Sequence, residues 1–102
     1  MLDATDEILS FLVGTTYEYF TTDRKLASAT IKQLEVIGEA AAHVTDQFKL
    51  LHPEIQWREI IGLRNILVHE YFDIDFDLIW NISNKNVPRL QQELKAILTQ
   101  FH

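Results

Sequence analysis

With 102 residues and 47% hydrophobic side chains, the chain has the apolar content of a single domain, predicted to span residues 1–102, with a core of its own but one that a dimer would help. It contains no cysteine, which excludes disulfides, thiolate zinc sites and cysteine nucleophiles. Nine basic against fifteen acidic residues give a net charge of −6, which argues against coating nucleic acid through a broad basic surface yet leaves room for a local RNA site.

The opening Met1-Leu-Asp-Ala-Thr-Asp-Glu7 does not resemble a signal peptide, and no apolar run approaches the ~20 residues that a membrane helix needs. A cytoplasmic protein with no membrane contact is expected. From about residue 3 to 20, Ile8, Leu9, Phe11, Leu12, Thr15 and Tyr19 follow a three-to-four spacing that predicts a first helix, with Asp3 or Thr5 as its cap and Gly14 as a weak point. Thr21-Thr22-Asp23 is a polar break and a cap for the next helix.

From Asp23 to about Val44, Leu26, Thr30, Leu34, Ile37, Ala41 and Val44 recur at steps of three and four, the pattern of a long amphipathic helix. On its other face Glu35 and Glu39 stack one turn apart, either as solvated carboxylates or as a partner for an arginine elsewhere. Gly38 lies mid-helix, where it costs ~1 kcal/mol relative to alanine. With Gly62 it points to close approach of helix backbones, and no glycine marks an obvious loop. Thr45 to Leu51 predicts a short helix ended by His52-Pro53, because the residue before proline avoids the α region.

Trp57 to about Tyr71 is the most apolar stretch and carries the most conspicuous polar residues. Wound at about 100° per residue, it places Trp57, Ile60, Ile61, Leu63, Leu67, Val68 and Tyr71 on one arc, with Arg64 near the middle. An unpaired guanidinium buried there would cost at least several kcal/mol, so Arg64 needs an acidic partner, Glu35 or Glu39 in a buried ion pair, or a wet groove and an anionic ligand. Asn65 and His69, four apart, stack on the flank, and Arg64 and Tyr71 share a face. Ile66 lies opposite the arc, which predicts burial on two sides, one of them by a two-fold partner. Asp73-Ile-Asp-Phe-Asp77 lacks the turn glycine and distal glutamate of a calcium loop. No metal and no cofactor is expected; Asp75 caps the last helix and Asp77 complements its dipole. That helix is predicted over about residues 76 to 100, with Pro88 producing a kink or a restart capped by Asn86. Trp57 and Trp80 read as core or dimer contacts, and His43, His52 and His102 as structural. With no strand pattern, the predicted fold is an all-α bundle of four main helices plus a short one.

Arg64-Asn65-Ile-Leu-Val-His69-Glu-Tyr71 resembles the R-x4-H signature of HEPN domains in the extended form R-x4-H-x-Y found in HepT-like toxins. The likeness extends in order through Leu34-Glu-Val-Ile-Gly-Glu-Ala-Ala41, His52-Pro-Glu-Ile55 with Trp57, Ile60-Ile-Gly-Leu-Arg-Asn65 and Asn86-Val-Pro-Arg-Leu90. It covers residues 23 to 98 closely and the first helix loosely. The resemblance implies a HEPN-like homodimer, a metal-independent RNA endonuclease whose R-x4-H helices face each other across a cleft. It implies Arg64 and His69 as catalytic, Asn65 as a supporting polar residue, and Tyr71 as the residue that a minimal, MntA-like nucleotidyltransferase antitoxin adenylylates. The residue types suit that chemistry. Histidine moves protons near neutrality, and arginine forks onto phosphate oxygens. Five residues apart on one helix, Arg64 and His69 diverge by about 140°, so convergence requires a two-fold partner. The competing expectation is a catalytically silent HEPN dimer that holds a nucleotidyltransferase or binds a nucleotide.

Overall fold

A computed structural model describes residues 1–68, 70 and 73–100. Among them every regular element is helical: α1 (Leu2–Leu12), α2 (Tyr17–Phe20), α3 (Arg24–Ala42), α4 (Asp46–Leu51), α5 (Trp57–Leu67), α6 (Phe76–Asn81), a π-helical turn (Ile82–Asn86) and α7 (Val87–Thr99). Four main rods, α1, α3, α5 and the continuous α6–π–α7 run, form the expected bundle. There are two short helices, α2 and α4, where one was expected. The predicted first helix is cut at Gly14, whose φ of +74° suits glycine alone, and Thr16 then caps α2 by accepting the Tyr19 N–H at 3.2 Å. Gly14 therefore does mark a turn. Neither Asp3 nor Thr5 caps α1: both lie inside it, and the Thr5 hydroxyl donates to the Leu2 carbonyl at 2.7 Å.

Other helix boundaries lie at their caps. Asp23 accepts the Leu26 N–H at 3.0 Å and starts α3; Thr45 accepts the Phe48 N–H at 3.2 Å and starts α4; Asp75 accepts the Leu78 N–H at 3.0 Å and starts α6. The chain leaves α4 at His52, just before Pro53. Each cap removes an orphan donor from a helix start and is worth roughly 1 kcal/mol.

The core is built on α3, whose Ala27, Thr30, Ile31, Leu34, Ile37, Gly38 and Ala41 are buried against α1 on one side and α5 on the other. Ile8, Phe20, Ile55, Leu67 and Ile79 complete its fully buried centre. The Cα envelope measures 41 × 27 × 16 Å. The shortest extent admits two layers of helices at an axis spacing of about 8–10 Å, and no third. Helix α5 consequently keeps one long side open to solvent.

Pro88 does not begin a helix restarted from an Asn86 cap. It occupies the first turn of α7, where its missing N–H is tolerated, and the wider π turn just before it joins α6 to α7 without interruption; Asn86 makes no side-chain cap. Ser83, in that turn, is fully buried, and its hydroxyl has no hydrogen-bond partner among the described residues.

Candidate active site

The two ends of α5 are held differently. At its start Trp57 is buried, its ring meets Phe48 edge-on at 6.2 Å, and its indole N–H donates to the His52 carbonyl at 2.9 Å. His52 stacks on Phe48 with ring centroids 4.5 Å apart and reaches Glu54 at 3.3 Å. Trp57 is thus a core residue and His52 a structural one, as their sequence context indicates. Trp80 likewise packs on Phe20 at 5.3 Å and on Tyr17 at 5.8 Å.

At the other end the helix stops earlier than its apolar pattern predicts. It closes at Leu67 with Val68 as C-cap, and the Glu70 N–H turns back to the Leu67 carbonyl at 3.0 Å. His69 and Tyr71 lie outside the described residues, and with them the predicted pairings of Asn65 with His69 and of Arg64 with Tyr71. Asn65 is exposed on α5. Val68, predicted on the buried arc, is 54% exposed, and Ile66 is 48% exposed.

Arg64 has one of the acidic partners the sequence offers, but in an exposed pair and not a buried one. It stands in the last turn of α5, where a cation complements the helix dipole, and 73% of its side chain is accessible. The helical arithmetic places its Cα in line with Trp57 and Ile60, but the long stem carries the guanidinium past α3 into water. There its Nη1 meets Glu39 Oε1 at 2.6 Å, Glu39 being 45% accessible. Of the alternatives offered by the sequence, Glu39 is the partner and Glu35 is not, and the pair is exposed. Such a pair contributes about 0.2–1 kcal/mol, too little to be the reason α3 and α5 associate.

That association depends on Gly38. A Cβ at this position would lie 3.2 Å from the Ile60 carbonyl oxygen and 3.9 Å from the Arg64 nitrogen, so the two backbones touch as the sequence indicates. Gly62 is different: a Cβ there would meet nothing within 4 Å, and close approach does not explain it. The contact at Gly38 sets the next residue, Glu39, beside Arg64. Together with Lys32, Glu35, His43 and the apolar Val36, Ala40 and Val68 they line an open groove between α3 and α5. His43 keeps its ring on its own helix, Nδ1 lying 2.8 Å from the Glu39 carbonyl oxygen.

A second cleft, of about 280 Å³, lies where α3, α5 and the α6–π–α7 rod meet, and Leu34, Ile37, Ile60, Leu63, Ile82 and Leu90 line it. Its walls are chiefly apolar, although Glu59, Arg89 and Glu93 also line it. Two further polar contacts brace the start of α6. Glu70 is buried, and its carboxylate accepts the Asp75 N–H, tying the chain beyond α5 to the residue that caps α6. Nothing in its sequence context marks Glu70 for this role beyond its place inside the R-x4-H-x-Y run. Asp77, expected to serve the helix dipole, also accepts a hydrogen bond from the Tyr17 hydroxyl. That bond, then desolvation, then the charges of Asp77, Asp75 and Glu18 raise the phenol above its ordinary 10.0. Among the described residues no three His, Asp or Glu side chains converge as a metal site.

Comparison with known proteins gives a consistent set of relatives. The family model described as "HepT-like: Ribonuclease HepT-like" matches residues 1–97. A candidate RNase of Methanocaldococcus jannaschii is 34% identical over 95% of this chain and 89% of its own length. The probable ribonuclease HepT of Thermococcus cleftensis is 36% identical over 93% of this chain and 86% of its own. A candidate RNase of Caldanaerobacter subterraneus subsp. tengcongensis is 34% identical over 96% and 88%. No solved structure matches significantly.

Proposed function

The chain belongs to the HepT-like ribonuclease family, and from that premise we propose that it is a metal-independent endoribonuclease and the toxin of a toxin–antitoxin pair. The observation that carries this reading is Arg64, an exposed arginine at the end of α5, beside an open groove with charged side chains and within reach of a solvent-borne phosphate. Its permanent charge and forked donors suit a phosphodiester, and it occupies the arginine position of R-x4-H.

In this mechanism His69 takes the proton from an RNA 2′-hydroxyl, the 2′-oxygen attacks phosphorus, and the 5′-oxygen leaves with a proton, giving a 2′,3′-cyclic phosphate. Arg64 neutralises the charge that develops on the phosphate oxygens, where one well-placed donor is worth about 10²–10³ in rate. Asn65 supports the substrate on the same helix. Because Arg64 and His69 diverge on one helix, a homodimer supplies the convergence. The exposed Ile66 and Val68, on opposite flanks at the end of α5, offer apolar surface to such an interface.

Control falls to Tyr71. An MntA-like nucleotidyltransferase antitoxin that attaches AMP there adds a negative phosphodiester, able to occupy Arg64 as substrate would, and a nucleoside that obstructs the RNA path. The test is incubation of the purified chain with total RNA in EDTA. Cleavage with cyclic phosphate ends, abolished in His69→Ala and Arg64→Ala while helical content is kept, is the expected result. Activity that needs a divalent ion, or that survives His69→Ala, rejects it. A chain that never cuts RNA yet holds its nucleotidyltransferase would instead be the silent interaction module. Incubation with that enzyme and ATP should add AMP to wild type and not to Tyr71→Phe.

A further inference from the structure

The groove between α3 and α5 already contains an anion for Arg64, and it belongs to the protein. Gly38 brings α3 against the α5 backbone, and the adjacent Glu39 places Oε1 at 2.6 Å from Arg64 Nη1. Among the described residues, the Lys, Arg, Asp and Glu side chains lining the groove are Lys32 and Arg64 against Glu35 and Glu39, two formal charges of each sign. RNA phosphate entering this groove meets a neutralised arginine. Both members of the pair are largely accessible, at 73% and 45% of their side chains, so the contact is made in water, where a phosphate can exchange with it. Among the described residues Glu39 engages Nη1, and the guanidinium carries further N–H donors with which it can meet a ligand.

Resting on the reading of Arg64 as the phosphate-binding side chain, we propose that Glu39 is a positioning residue with two separable effects. It aims the guanidinium along the groove, and it competes with RNA phosphate for it. The first effect needs an acceptor oxygen at position 39, and the second needs a negative charge. Glutamine keeps the one and loses the other; alanine loses both.

The experiment is a double-mutant cycle on the full chain, read in two ways. Binding of an uncleavable 2′-O-methyl RNA oligonucleotide is measured for wild type, Glu39→Gln, Arg64→Ala and the double variant, with circular dichroism checking that each is folded. Glu39→Gln should bind about two- to fivefold more tightly than wild type, and the gain should vanish when Arg64 is alanine. Cleavage kinetics should then split. Glu39→Ala should lower kcat by about ten- to hundredfold, because the arginine is no longer aimed. Glu39→Gln should recover part of that loss and lower KM. A gain in affinity that persists without Arg64, or no gain in Glu39→Gln, overturns the competition. Equal kcat in wild type and Glu39→Ala overturns the positioning. If wild type never cuts RNA while the binding cycle still shows coupling, the ribonuclease reading fails and the competition stands. Cleavage without coupling gives the reverse.

Discussion

The first and last turns of α5 each bury one apolar side chain, Trp57 and Leu67, but differ in what surrounds it. Trp57 is wrapped by Phe48, the His52 carbonyl and the core, whereas one helix length later Arg64, Asn65, Ile66 and Val68 all face water. The first end is held by a buried indole and its hydrogen bond; at the second Leu67 is fully buried, and the polar side chains around it make, among the described residues, one exposed ion pair that contributes little. A helix anchored by Trp57 and Leu67 can present Arg64 and Asn65 on its exposed face without risking the fold.

Substitutions at the two ends should therefore separate stability from activity. Trp57→Ala should have the largest effect on folding, about 3–5 kcal/mol by urea titration, since it deletes a buried indole and its hydrogen bond. Arg64→Ala should cut RNA cleavage by about 10²–10³ in a gel assay and change the urea midpoint by less than about 1 kcal/mol. A large loss of stability in Arg64→Ala would remove the distinction between the ends. Between them lies Gly38→Val, whose branched side chain meets the Ile60 carbonyl and should cost about 1–3 kcal/mol while forcing Glu39 away from Arg64. It should lower both melting temperature and cleavage.

The smallest effect concerns Tyr17, remote from α5. Its phenol is raised by the hydrogen bond to Asp77, so the neutral form is favoured in the folded state. The stabilisation is fully present below the unfolded pKa near 10 and is lost as pH rises through the higher folded value. Phenolate absorbance should show Tyr17, identified by difference from Tyr17→Phe, titrating above 10.0, and Asp77→Asn should bring it down.

Much of the fold was legible because its signals are local. Asp23, Thr45 and Asp75 are caps that any reading of helix starts would find, and the steps from Thr30 to Ala41 mark the buried face of α3. What escaped depends on geometry across the bundle. The apolar pattern runs through to Tyr71, yet α5 closes at Leu67, because turning the chain towards α6 competes with continuing the helix. The arc that put Arg64 among apolar neighbours treats side chains as points and omits the reach of a four-bond stem, so it left open whether the arginine would be paired in the core or in water. Gly38 and Gly62 look alike in sequence; only the path of α3 over α5 tells them apart. For the candidate site, the sequence named Arg64 and offered Glu39, but the choice between Glu35 and Glu39 needed the contact at Gly38.

The π turn leaves the molecule some headroom. Ser83 carries an oxygen into the core that finds no partner among the described residues, and burying such a hydroxyl costs about 1–3 kcal/mol. Alanine would remove the oxygen and keep nearly the same volume in the wide turn. The margin recovered is the size of what Gly38→Val takes away, so a Ser83→Ala background is one in which damaged versions of the α3–α5 groove could stay folded long enough to be measured.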